Sequence, residues 1–214
     1  MVSLDVGCGK QKRGDIGMDV YPGPQVDVVW DLRKTPWPFE SGKFDTVYAI
    51  HVLEHIPFSL EPQYEDGLFS VMGEIHRVLQ PGGKLVIITP HQQSRYAWGV
   101  PTHRRVFNET TWTHFSRDLW TGVYSLESPD GVGREPLFEK SSIRVDREFG
   151  SAYPFGFREW HVEHRLPRVY RVLCALRVGR KRNLYVTLTK GGAAPPAPAT
   201  LPAASPPPRV PPPA

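Results

Sequence analysis

Apolar residues in the first ninety positions gather into short, nearly continuous runs: Val2–Val6, Ile16–Val20, Val26–Trp30, Phe44–Ile50 and Lys84–Thr89. Runs of this kind suit parallel strands buried on both faces, whereas a half-exposed strand alternates apolar and polar positions. Between the last two runs the period changes. Leu68, Val71, Met72, Ile75, Val78 and Leu79 recur at spacings of three and four, which predicts an amphipathic helix. Gln80-Pro81-Gly82-Gly83 then supplies a stop signal. Strands alternating with helical pattern predict an open α/β sheet with right-handed crossovers.

The pattern weakens from His91 to Glu139, where aromatics and histidines are dense. One short helical piece is expected at Glu109–Phe115, with Asn108 as its cap. Ser142–Phe149 and Asn183–Thr189 read as strands, and Arg168–Val178 reads as a helix. Residues 191–214 are almost all Gly, Ala and Pro, a composition too poor in large apolar groups to fold, so a disordered Pro/Ala-rich tail is expected. The expected organisation is one domain over residues 1–190, with a cofactor-binding half (1–90) and a substrate-shaping half (91–190).

Composition changes this picture little. The chain has 214 residues and a net charge of +4. Eight Lys/Arg against two Glu from Arg158 to Arg182 give +6 there, so the remainder carries −2. A general nucleic-acid coat needs a broader basic face, so nucleic acid is not the expected partner. Two cysteines without paired spacing, Cys8 and Cys174, make neither a disulfide framework nor a zinc site. No apolar run reaches the roughly 20 residues of a membrane span. The chain opens directly into a strand without a secretory pattern, so a cytoplasmic protein is expected, with peripheral membrane contact as its closest approach to lipid.

The chemistry-bearing residues stand at strand ends. Leu4-Asp5-Val6-Gly7-Cys8-Gly9 is a strand entering a glycine turn, where a ligand can approach the backbone because no Cβ intervenes. The second strand ends at Asp19, a carboxylate able to bind a ribose diol. The third ends at Asp31-Leu32, a polar and apolar pair suited to an adenine, and the fourth at His51. Four strand C-termini at one sheet edge form the ligand crevice of open α/β sheets.

Taken together, the blocks LDVGCG (Leu4–Gly9), GMDV (Gly17–Val20), Asp31-Leu32, FDTVYAIHVLEHI (Phe44–Ile56) and EIHRVLQPGGKLVIITP (Glu74–Pro90) resemble the class I S-adenosylmethionine-dependent methyltransferases, specifically the type 11 domain. The resemblance covers nearly all of residues 2–90. It implies a Rossmann-like, mostly parallel sheet of roughly seven strands, with Asn183–Thr189 as an antiparallel strand at the edge. It implies S-adenosylmethionine as cofactor, with Asp5, Gly7 and Gly9 around the methionine end, Asp19 at the ribose, Asp31 and Leu32 at the adenine, and His51 close by. Two departures stand out. Gln11 occupies the position of the usual third glycine, and the connection from Gly9 to the second strand is too short for the family's first helix. Lys10, Lys12 or Arg13 are the candidates to replace that helix's positive end.

His51-x-x-Glu54-His55 is expected to hold its loop by hydrogen bonds rather than to bind magnesium, which prefers oxygen ligands, and no metal is expected. The acceptor segment is expected at Trp98–Phe107. Its Pro-Thr-His-Arg stretch resembles methyltransferases of glycan and cell-envelope pathways. His103 is the first candidate base and His91 the second, since imidazole titrates near pH 6.5. Arg104 and Trp98 are candidate acceptor contacts. The expected reaction is methyl transfer to a small-molecule or saccharide-type acceptor at oxygen. RNA methylation, favoured only by the basic C-terminal stretch, and a non-catalytic protein with a decayed cofactor fold are the alternatives.

Overall fold

The computed structural model describes residues 1–58, 67–119, 136–148 and 180–192. The strands are β1 (Ser3–Val6), β2 (Ile16–Asp19), β3 (Val28–Val29), β4 (Phe44–Ile50), β5 (Leu79–Pro90), β6 (Lys140–Glu148) and β7 (Arg180–Thr189). Helix α1 (Gly67–Val78) precedes β5, and a short helix, α2 (Arg95–Gly99), follows it. Single 3-10 turns lie at Leu53–His55 and Glu109–His114. The expected helix at Arg168–Val178, most of the basic Arg158–Arg182 stretch, Cys174 and nearly all of the Pro/Ala-rich tail lie outside the described residues.

All seven strands join one sheet in the order β3-β2-β1-β4-β5-β7-β6. Strands β1 to β5 pair in parallel, and β7 is antiparallel to both β5 and β6. The expected antiparallel strand is therefore present, inserted one place in from the edge, with β6 outermost. Burial follows the apolar runs. Leu4, Val6, Met18, Phe44, Val47, Ala49, Leu85 and Ile87 have no exposed surface, and α1 lays Leu68, Val71, Met72, Ile75 and Val78 into the same core. Each Val, Leu, Ile, Phe or Met side chain among these contributes roughly 1.5–3 kcal/mol on burial.

The connection from β1 to β2 contains no helix. Strands of four residues are only about 13 Å long at 3.3 Å per residue, so an extended segment can run back beside them. The returning chain packs on the β1 backbone itself. A Cβ added to Gly14 would stand 2.9 Å from the Asp5 amide nitrogen, and one on Gly17 would stand 2.4 Å from the Gln25 carbonyl oxygen. The Arg13 N–H donates to Asp5 Oδ2 at 2.7 Å, and Lys12 Nζ donates to Asp27 Oδ2 at 2.8 Å. Lys12 is thereby committed to Asp27, while the Arg13 charge acts on Asp5.

Two boundaries differ from expectation. Gln80–Gly83 does not end the helix. The helix stops at Val78, and the Pro-Gly-Gly residues form a bulged entry to β5, with Gly82 at φ 77 and a register shift opposite Phe44–Thr46. Helix α2 carries too short an apolar repeat to register as a period. It is started by Ser94, whose side chain accepts from the Tyr96 N–H. Asn108 caps its 3-10 turn as expected, in a reciprocal box with Thr111.

Candidate active site

The ends of β1, β2 and β4 meet around the glycine turn. The Gly7 and Cys8 N–H groups both donate to the Met18 carbonyl, at 2.7 and 3.3 Å, which ties the turn to β2. Gly7 has φ +67, and a Cβ there would lie 2.4 Å from Val52 Cγ2, so the loop after β4 closes directly on the turn. Gly9 is also left-handed at φ +53, but a Cβ there would meet nothing within 4 Å. That open side is where a ligand can approach.

Asp19 Oδ2 accepts the Gly9 N–H at 2.9 Å, and its Oδ1 accepts the Tyr21 N–H at 3.0 Å. A carboxylate offers about four lone-pair positions, so the group that shapes the loop can still receive two hydroxyls. Asp5 is 1% exposed, and its Oδ1 has no hydrogen-bond partner. Burial pushes its carboxyl above the usual range, against the Arg13 N–H bond and the Arg13 charge. An orphaned buried acceptor beside an open glycine turn fits the ammonium end of an amino-acid-bearing nucleoside. Burial likewise pushes the Cys8 thiol up to about 11, which keeps it protonated and inert.

The expected adenine pair is less available. Arg33 fills the Asp31 carboxylate: its backbone N–H and Nε reach Oδ1, and its Nε and Nη2 reach Oδ2, at 2.6–3.1 Å. The ion pair holds the Asp31 carboxyl below its ordinary range. Leu32 is buried in the core, and its carbonyl accepts the Trp37 indole N–H. Tyr21 and Val29, both exposed, flank the same edge and were not singled out by the sequence pattern.

His51 stands at the end of β4 in the left-handed region, at φ 52, the sole non-glycine residue there among those described. Strain of this kind costs about 1–3 kcal/mol and persists only when its surroundings hold it. Here Glu54 does so. Its carboxylate is 1% exposed, meets His51 Nδ1 at 3.2 Å and accepts from Thr89 Oγ1 at 3.2 Å, while its backbone carbonyl accepts the N–H groups of Arg104 and Arg105. Glu54 thus joins the ends of β4 and β5 to the 100–107 segment. Periodicity shows an LEH triplet but cannot show that its carboxylate is the hub.

The two candidate bases differ. His91 has no exposed surface, its Nδ1 accepts the Gln93 N–H at 3.0 Å, and its Nε2 meets Glu109 Oε2 at 3.0 Å. Both nitrogens are committed, so His91 has no lone pair for an acceptor and serves as a packing histidine. His103 is half-buried. Its Nδ1 faces the Ala97 carbonyl at 3.3 Å, and its ring meets that of His55 edge-on at 4.8 Å. A carbonyl only accepts, so Nδ1 carries the proton and Nε2 the lone pair. Arg104 is exposed, and Trp98 is 73% exposed with its indole N–H donating to the Gln92 carbonyl. Arg105, not Arg104, is the arginine folded inward, onto the Ile56 and Pro57 carbonyls.

A sheet of this order, with a glycine turn after β1 and an acidic residue ending β2, defines the class I methyltransferase fold. Comparison with known proteins agrees. Residues 19–87 match the family model described as a methyltransferase domain. The chain is 46% identical over 134 residues to a sterol 4-C-methyltransferase of Caenorhabditis elegans, covering 63% of this chain and 34% of that protein. It is 41% identical over 95 residues to a sterol 24-C-methyltransferase of Schizosaccharomyces pombe, covering 44% of this chain and 18% of that one. The chain therefore spans about a third and about a fifth of these two relatives' own length. Among solved structures, a SAM-dependent methyltransferase from Archaeoglobus fulgidus superposes with a TM-score of 0.53 at 16% identity, over 88% of this chain and 85% of that one. The fold is thus that of the S-adenosylmethionine-dependent methyltransferases, and residues 19–87 are similar to their methyltransferase domain.

Proposed function

We propose that the chain transfers the methyl group of S-adenosylmethionine to a hydroxyl of a small-molecule or saccharide-type acceptor. Asp5 and the glycine turn receive the methionine end of the cofactor, and Asp19 receives its ribose. The acceptor lies against the Trp98–Phe107 segment, with Arg104 at its rim. His103 Nε2 takes the hydroxyl proton as the oxygen attacks the sulfonium methyl, giving a methyl ether and S-adenosylhomocysteine. Aligning the oxygen with the methyl supplies most of the rate, and the base a further 100-fold or so. The observation that carries this reading is the Glu54 hub, which fixes the His103 segment onto the strand ends that hold the cofactor turn.

A second reading is favoured by the relatives' names: a carbon acceptor of sterol type. The two differ in proton chemistry, since an alkene carbon has no proton to surrender before attack and a hydroxyl has one. The test supplies methyl-labelled cofactor with a panel of glycosides, phenols and sterols and separates methyl ethers from C-methyl products. Labelled ether, with turnover lowered about 100-fold in His103→Ala, is the expected result. Label confined to sterol carbon, or full turnover in His103→Ala, overturns it.

A further inference from the structure

Glu54, His55 and His103 each place a metal-capable atom within 4.8 Å of those of the other two. No spacing rule in the sequence joins His103 to the LEH triplet. The fold does so, through the Arg104 and Arg105 N–H bonds to the Glu54 carbonyl. We propose that these three residues form a binding site for a borderline divalent transition ion, with Zn2+ as its representative.

Three observations carry the proposal. First, both imidazoles are set in the tautomer a metal needs. His55 Nδ1 faces the Thr102 carbonyl at 3.2 Å, and His103 Nδ1 faces the Ala97 carbonyl at 3.3 Å. Each therefore donates from Nδ1 and keeps its Nε2 lone pair, which is the outer-shell arrangement of metal-bound histidines. Second, the carboxylate is buried and oriented by His51 and Thr89, yet each oxygen has an acceptor position left. Third, two imidazoles and one carboxylate match the three-ligand sets of zinc, while hard magnesium would prefer oxygen throughout. Bonds of about 2.0–2.1 Å in a tetrahedral set put ligand atoms about 3.3 Å apart, so the exposed His55 ring turns inward on binding.

Three protein ligands leave one position open. On the hydroxyl-acceptor reading above, that position takes the acceptor oxygen and lowers its pKa. With the ion bound, His103 would act as a ligand, because both roles use the same Nε2 lone pair, and the acceptor's proton would pass to solvent water; the ion-free protein would keep His103 as the base. Binding of the ion itself does not depend on that reading. His51-x-x-Glu54-His55 alone gives no reason to expect a metal. The site arises only when His103 is added from the following loop.

The test is calorimetric titration of chelator-stripped full-length chain with ZnCl2, in parallel with S-adenosylhomocysteine. One ion per chain is expected. Affinity should fall at least 10-fold to 100-fold in His55→Ala and in His103→Ala, since even outer-shell losses cost that much. His55 is exposed, so its variant should fold, and unchanged S-adenosylhomocysteine affinity in it verifies this. Absence of zinc binding, or equal binding by the His55→Ala/His103→Ala double variant, overturns the site. Neither result touches the cofactor reading, which fails separately if the nucleoside does not bind.

Discussion

At the scale of single residues, the account turns on a few groups whose local geometry departs from the ordinary. Asp19 holds the glycine turn through Gly9 and Tyr21 while keeping acceptor positions for a diol. Asp19→Ala should lower cofactor affinity at least tenfold by calorimetry, because each charge-assisted hydrogen bond lost is worth roughly 1.5–3 kcal/mol. Gly7 combines φ +67 with a Cβ position only 2.4 Å from Val52 Cγ2 and 2.7 Å from Val52 Cβ. Gly7→Ala therefore meets both backbone strain and a clash, and its melting temperature should drop by about 5 °C or more, at 2–4 °C per kcal/mol for a chain of this size. In a Val52→Gly background the same substitution should cost measurably less, since the clash is gone and only the strain persists. Equal costs in the two backgrounds would show that the β4 loop does not press on the turn. The placement of Asp5, Gly7, Gly9 and Asp19 at strand ends around one turn was legible beforehand because strand-glycine and strand-acid junctions are local patterns. Glu54 was not, because its role is made of bonds to residues 35 and about 50 positions away. Nor was the commitment of both His91 nitrogens, which depends on where Gln93 and Glu109 fall in space.

At the scale of elements, the strands were readable and the connections less so. Runs of apolar residues announced the strands, although β4 and β5 alternate buried with part-exposed positions and Val29 of β3 is exposed, so burial on both faces was not borne out. The missing first helix was also foreseeable by arithmetic, because too few residues separate Gly9 from Ile16. How the short return is stabilised was not, as it relies on Gly14 and Gly17 lying against bare backbone. The Pro-Gly-Gly bulge shows the same limit: a helix stop and a strand entry share one signal when no loop intervenes. Helix α1 makes its own prediction at its C-terminal end. Lys190 Nζ, arriving from beyond β7, donates to the His76 and Leu79 carbonyls at 2.8 and 2.7 Å. Burial, with the Lys190 charge adding to it, lowers the His76 pKa to about 4. The folded protein thus binds this proton less readily than the unfolded chain does. The resulting stability is present above about pH 6.5 and is lost as pH falls from there towards 4, at up to about 1.4 kcal/mol per unit. Denaturant midpoints measured across that window should fall with pH, and His76→Gln should flatten part of the slope. An unchanged slope would mean that His76 is solvated in solution.

At the scale of the whole molecule, one sheet edge collects the candidate cofactor groups, and the 100–107 segment is tied to the loop after β4 through the Glu54 carbonyl. The parallel half was recognisable because its blocks occur in a fixed order along residues 2–90. The position of β7 between β5 and β6 was not, because strand order across a sheet depends on pairings that no local pattern encodes. Among the described residues, no helix is long and apolar enough to cross a membrane. The large exposed apolar residues include Phe58, after the Leu53–His55 turn, and Tyr96 and Trp98 on α2. The central claim is that the β1, β2 and β4 strand ends bind S-adenosylmethionine in an orientation that presents its methyl group to this loop. A crystal structure of the chain with S-adenosylhomocysteine tests it most directly. The account predicts the ribose hydroxyls on the Asp19 carboxylate, the amino group near Asp5 Oδ1 and Gly7, and the sulfur facing His103. A nucleoside bound elsewhere, or one whose sulfur faces away from the Trp98–Phe107 segment, would contradict it.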